Sequence, residues 1–116
     1  MTKNILNALD SVPPAATVQP SLTGEQATYK VNGYLTKYVG MYFRAVEPVF
    51  LPLERPVWQV LVHFQMYDVG PFPIVFLDVD ALTGDVLPLT DDQIDTILDR
   101  ADALVSAHTP TTAPPF

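Results

Sequence analysis

The chain has 116 residues, 48% hydrophobic and 16% charged, with 13 acidic side chains against 6 basic ones and a formal net charge of −7. That size and apolar content suit one globular domain with a modest core rather than a disordered chain. Six scattered Lys and Arg on an acidic chain cannot neutralise a row of phosphates, so neither nucleic acid nor an anionic membrane surface is expected as a partner, and a chain without cysteine has no disulfide, thiolate zinc site or cysteine nucleophile.

The first residues, MTKNILNALDSVPPAA, carry one Lys and a short apolar patch, Ile5, Leu6 and Leu9, that Asp10 interrupts. This is shorter than the apolar centre of a signal peptide, and no run approaches the roughly 20 apolar residues of a membrane helix. A cytoplasmic location is the expectation. Pro13, Pro14 and Pro20 mark residues 1–20 as an irregular lead-in, and Pro110, Pro114 and Pro115 mark 109–116 as a disordered tail. The body is expected over 21–108 as a single domain.

Thr23-Gly24-Glu25-Gln26 reads as a capping box, in which the Thr hydroxyl accepts from the Gln26 amide and the Gln26 side chain reaches back. Ala27, Val31, Tyr34, Leu35, Tyr38 and Val39 follow at helical spacing, and Gly40 suits the stop. A helix over 23–39 is expected. Gly33 opposes it, because glycine costs about 1 kcal/mol in a helix interior, and a strand over Thr28 to Val31 is the rival reading.

Met41 to Leu51 is extended in composition, and Pro48 requires that this strand lie at an edge or carry a bulge. Trp58 to Met66 alternates, with Trp58, Val60, Val62, Phe64 and Met66 on one face and Gln59, Leu61, His63 and Gln65 on the other. That is the pattern of a half-buried antiparallel strand. Asp68 to Pro73 reads as a loop, because Gly70, Pro71 and Pro73 crowd it. Ile74 to Asp80 reads as the next strand, with Val75, Leu77 and Val79 toward the core. Ala81-Leu82-Thr83-Gly84 turns the chain, and Val86-Leu87 begins a short return strand. Thr90-Asp91-Asp92-Gln93 is a second capping box. It opens a helix with Ile94, Ile97, Leu98, Ala101, Leu104 and Val105 on one side and Asp95, Asp99 and Asp102 on the other.

Chemistry-bearing residues are few. Asp78, Asp80 and Asp85 cluster at the turn, but their spacing matches no EF-hand loop. Asp80 is expected to brace the turn, with Asp78 on the outer strand face and no metal bound. His63 lies mid-strand between Gln59 and Gln65, with no partner that would make it an acid or base. His108 falls where a cation suits a helix end. No nucleophile elbow, P-loop, dinucleotide fingerprint or HExxH is present. No catalytic, cofactor or metal residue is assigned, and no cofactor is expected. The tyrosines Tyr29, Tyr34, Tyr38 and Tyr42, with Phe43, are read as core, with a ligand pocket between helix and sheet as the alternative.

One surface does not fit a plain soluble domain. Leu61, Ile74 and Phe76, with Tyr67 nearby, fall on the sheet face opposite the core, where polar residues are expected. An exposed apolar patch of this kind marks a partner site, unless the last helix folds back to cover it. Leu61, His63, Ile74 and Phe76 are therefore the expected interface.

The pattern W-x-V … V-D-A-x-T-G-x-V, carried here by Trp58, Val60, Val79, Asp80, Ala81, Thr83, Gly84 and Val86, resembles small domains of the PepSY type and immunity-protein-like domains, over residues 21 to 90. The resemblance implies a non-catalytic domain that binds or inhibits another protein, and offers no catalytic residues.

The expected fold is α+β: an antiparallel sheet of three to four strands packed by one N-terminal helix, plus a C-terminal helix. The expected function is a non-catalytic protein-interaction or inhibitory module of unknown partner, with homodimerisation through the outer sheet face or the edge strand at 41–51. The alternative is a small ligand-binding protein or enzyme with a tyrosine-lined pocket between helix and sheet.

Overall fold

A computed structural model describes residues 19–108; most of the expected lead-in and all of the expected tail lie outside them. The elements, in chain order, are α1 (Gly24–Tyr38), β1 (Phe43–Leu51), β2 (Val57–Met66), β3 (Val69–Asp80) and α2 (Asp91–His108). The strands form one antiparallel three-stranded sheet in the order β1-β2-β3. This is the α+β arrangement expected, with one helix before the sheet and one after it among the described residues.

The capping box opens α1. The Gln26 amide donates to Thr23 Oγ1 at 3.1 Å and the Thr23 amide to Gln26 Oε1 at 2.8 Å. Thr90 and Gln93 repeat the device at α2, at 2.8 and 3.1 Å. The helix reading of 23–39 therefore wins over the strand rival. Gly33 is carried on the exposed side, while Ala27, Val31 and Leu35 face the sheet with no exposure at all. Each buried Val or Leu contributes roughly 1.5–3 kcal/mol, more than the helix loses at one glycine.

Both helices bury against the same face of the sheet. Ala27, Val31 and Leu35 of α1 and Ile97 and Ala101 of α2 join one cluster with Phe43, Ala45, Val60, Val62, Phe64, Ile74, Leu77 and Val79. The chain between β3 and α2 is tied to α1 as well, because the Leu89 amide donates to the Tyr34 hydroxyl at 2.9 Å. The C-terminal helix thus does not cover the outer face.

Pro48 sits in an edge strand that also carries a bulge: the register slips between Val46 and Pro48, where Glu47 has φ 44°. In the ladder Pro48 opposes Val60, whose N–H and C=O serve β3, so the proline nitrogen points away from the sheet and no ladder bond is lost.

Three local readings are corrected. Residues 69–73 are strand, not loop. β2 and β3 are joined by a tight turn at Tyr67 and Asp68, with Tyr67 at φ 56°. Pro73 is tolerated because it lies opposite His63, whose hydrogen-bonding groups serve β1. The return strand at Val86-Leu87 is only a single bridge, Val79 to Val86, because Pro88 lets the chain leave the edge. Finally, Ile74 is buried, 3% exposed, and does not join the outer face. The register shifts between Val62 and His63, so Ile74 is an extra residue beside Val75. Such a bulge breaks the alternation on which the outward assignment rested.

Candidate functional site

The outer face of the sheet is built by the residues that alternate away from the core. Across the three strands they form four rows: Leu51, Val57 and Asp80; Val49, Gln59 and Asp78; Val46, Leu61 and Phe76; Arg44, His63 and Pro73. No described helix covers them. Val49 is 54% and Phe76 57% exposed, while Val46 and Leu61 are half-buried. Of the four expected interface residues, Leu61, His63 and Phe76 are brought together here and Ile74 is not. Tyr67 stands in the turn beyond the rows, 81% exposed.

The charges on this face are separated. Arg44 lies at one end beside His63, and Asp78 lies on the opposite edge strand, nearer the other end. Asp78 Oδ1 is enclosed and has no hydrogen-bond partner among the described residues. A buried acceptor in that state costs free energy unless something donates to it.

Both sheet edges are partly occupied by groups from elsewhere in the chain. On β1 the outward Ala45 amide donates to Asn32 Oδ1 of α1 at 2.8 Å. On β3 the Ile74 carbonyl, freed by the bulge, accepts from Arg100 Nη1 of α2 at 2.8 Å, and the Asp78 carbonyl accepts from the Leu87 amide at 2.8 Å. Sequence reading missed both Asn32 and Arg100. The available signal was a polar residue set into a helix next to an apolar stripe.

Asp80 braces the turn as expected. It is 3% exposed. Its Oδ1 accepts from the Leu82 and Thr83 amides at 2.8 and 3.0 Å, and its Oδ2 from Arg55 Nε at 2.8 Å and Nη2 at 2.6 Å. The Thr83 amide first, then the Leu82 amide, hold its carboxyl below the usual carboxylate range, with Arg55 adding to them and burial opposing them. Both oxygens are thereby committed to the fold. Among the described residues no three His, Asp or Glu side chains are placed to hold a metal ion.

The tyrosines do not line a pocket between α1 and the sheet, although Tyr34 and Tyr38 line an open cleft of about 620 Å³ beside the 85–91 segment. Tyr29 and Tyr38 are 80% and 53% exposed, and Tyr34 accepts the Leu89 bond. The space between α1 and the sheet is filled by Ala27, Val31 and Leu35. An open cleft of about 510 Å³ does lie between the start of α1 and the 81–84 turn, lined by Leu22, Glu25, Tyr29, Lys30, Leu82 and Thr83 among others. No described Ser, Thr or Tyr hydroxyl is hydrogen-bonded to a histidine or a carboxylate. His63 lies on the outer face, and His108 packs on Phe72 with ring centroids 4.6 Å apart. Among the described residues no helix is long and apolar enough to cross a membrane.

The chain matches no protein-family model, no curated protein and no solved structure.

Proposed function

We propose that the chain is a non-catalytic protein-binding module whose binding surface is the outer sheet face, and that the occupant of this face is a second copy of the chain. The observation that carries the reading is the placement of both helices on one side of the sheet, which leaves Val46, Val49, Leu61 and Phe76 as one patch. Contiguous apolar surface of this kind marks an association site.

The choice of a second copy rests on the charges. In a two-fold contact, unlike positions of the same patch meet. The Arg44 end of one copy can then approach the Asp78 edge of the other, so that unlike charges face each other across the contact. The edge route is disfavoured, since Asn32 and Pro48 block β1. The tyrosine-lined pocket is disfavoured as a reading, since Ala27, Val31 and Leu35 of α1 pack directly on the sheet. The likeness of the Trp58 to Val86 pattern to PepSY-type and immunity-protein-like domains supports a binding role without catalysis.

The test is light scattering on wild type and Leu61→Asp, with circular dichroism as the check on folding. A dimer at high micromolar concentration that becomes a folded monomer on substitution is expected. A monomeric wild type at that concentration, or a Leu61→Asp protein that stays dimeric, overturns the reading.

A further inference from the structure

The free edge of β3 is satisfied at two places and open between them. The Ala81 amide donates to the Pro56 carbonyl at 3.0 Å, so Val57 and Asp80 form a non-hydrogen-bonded pair. Counting along the register, Leu61 and Phe76 form another. The Phe76 amide and carbonyl therefore point outward, and no described residue pairs with them. On one side the Asp78 carbonyl is taken by Leu87; on the other the Ile74 carbonyl is taken by Arg100.

A groove of about 290 Å³ runs along this open stretch between β3 and α2. Val75, Leu89 and Ile97 give it apolar walls. Asp92 and Arg100, two turns apart on α2, also line it, a separation of about 12 Å along the helix. Arg100 meets Ile74 and His108 meets Phe72. The helix thus runs antiparallel to β3, with Asp92 at the Asp78 end and Arg100 at the Ile74 end.

We propose that this groove binds a short extended peptide with a free carboxyl terminus, which adds to the sheet as a strand antiparallel to β3. Two independent features give the same direction. The segment 85–87 already runs antiparallel to β3, through the Val79 to Val86 bridge, and a peptide takes up that line where the chain leaves it at Pro88. In that orientation the peptide's carboxylate arrives at Arg100, whose guanidinium has donors beyond the one given to Ile74, and its amino end arrives at Asp92. Ile74 to Asp78 spans four residue steps, about 13 Å of strand, which fits about three residues. Main-chain bonds to Phe76 supply the pairing, and alternate side chains enter the apolar groove, so β-branched residues fit best. This surface meets the outer face at Phe76, which lines the groove as well, but Val46, Val49 and Leu61 lie outside it, so either can fail without the other.

The experiment is an NMR titration of amide-labelled full chain with the tripeptide Val-Thr-Val bearing free ends, and with the same peptide amidated at its C-terminus. Saturable movement of the Phe76 amide, slowed exchange of its proton, and at least tenfold weaker binding of the amidated peptide are expected. Thr96→Trp, which fills the groove from α2 and leaves the β3 sequence unchanged, should abolish the response, and Leu61→Asp should leave it unchanged. A Phe76 amide that does not move at millimolar peptide overturns the proposal. So does equal binding of the two peptides, or movement confined to Val46, Val49 and Leu61. The peptide comparison on wild type stands even if Thr96→Trp fails to fold.

Discussion

At Asp80 a buried carboxylate is held charged by two backbone amides and an exposed guanidinium, and this makes the turn sensitive to acid. Its folded value lies below its ordinary 3.8. The stabilisation is therefore fully present above that ordinary value and is lost as pH falls through the lower, folded one. Asp80→Asn keeps an acceptor for the amides but removes the charge and the titration. It should melt lower than wild type at pH 7, and the gap between the two melting temperatures should narrow below about pH 4. Melting curves that run parallel over that range would contradict the assignment. Two glycines of α1 make a second test at this scale, with opposite signs. A Cβ on Gly24 would lie 2.9 Å from Pro48 Cγ and 3.1 Å from Trp58 Cζ3, whereas one on Gly33 would meet nothing within 4 Å. Gly24→Ala should push the helix start off the sheet and destabilise by about 1–3 kcal/mol. Gly33→Ala should stabilise by roughly 0.5–1 kcal/mol. Denaturant titration reads both, and equal signs would contradict the packing of α1.

The elements show where alternation and capping suffice and where they do not. Both helices were legible because each begins with a side chain that caps its own backbone and continues with a regular apolar stripe. β2 was legible because it pairs on both sides and keeps strict alternation over Trp58 to Met66. β3 was only half legible. Pro71 and Pro73 gave the signal of a loop, but their meaning depends on which neighbour their nitrogens face, and that is a property of the sheet. The bulge at Ile74 is likewise invisible to a period of two, and it turned a residue expected at the interface into core. The uncovered face was legible at Leu61 and Phe76; that the last helix leaves it bare was not, because the same stripe of α2 could have packed on either side. Arg100 ties the bulge to α2 through the Ile74 carbonyl. Arg100→Met should leave that carbonyl short of a donor at a cost of about 1–3 kcal/mol. Amide exchange should speed up in α2 and near Ile74 while β1 and β2 keep their protection. Uniform loss across the sheet, or none anywhere, would show that Arg100 does not hold the two together.

For the whole molecule, association competes with charge. Each copy carries a formal −7, so two copies repel at long range, and this repulsion fades over a Debye length of about 10 Å at 0.1 M salt. The patch proposed to bring them together is mostly apolar, with one Arg44 and one Asp78 per copy, and apolar attraction does not weaken with salt as ion pairs do. Raising salt should therefore tighten the dimer, or leave it unchanged, across the range where general repulsion is screened. Phe76→Asp adds a charge to the centre row and takes an exposed apolar ring away, so it should dissociate the dimer at every salt concentration while leaving the fold intact, since Phe76 is 57% exposed. Sedimentation at low and high salt reads both effects. A dimer that falls apart as salt rises would mean that ion pairs hold it and that the apolar patch does not. A Phe76→Asp chain that unfolds would mean that the ring belongs to the core, and the outer face would lose its centre.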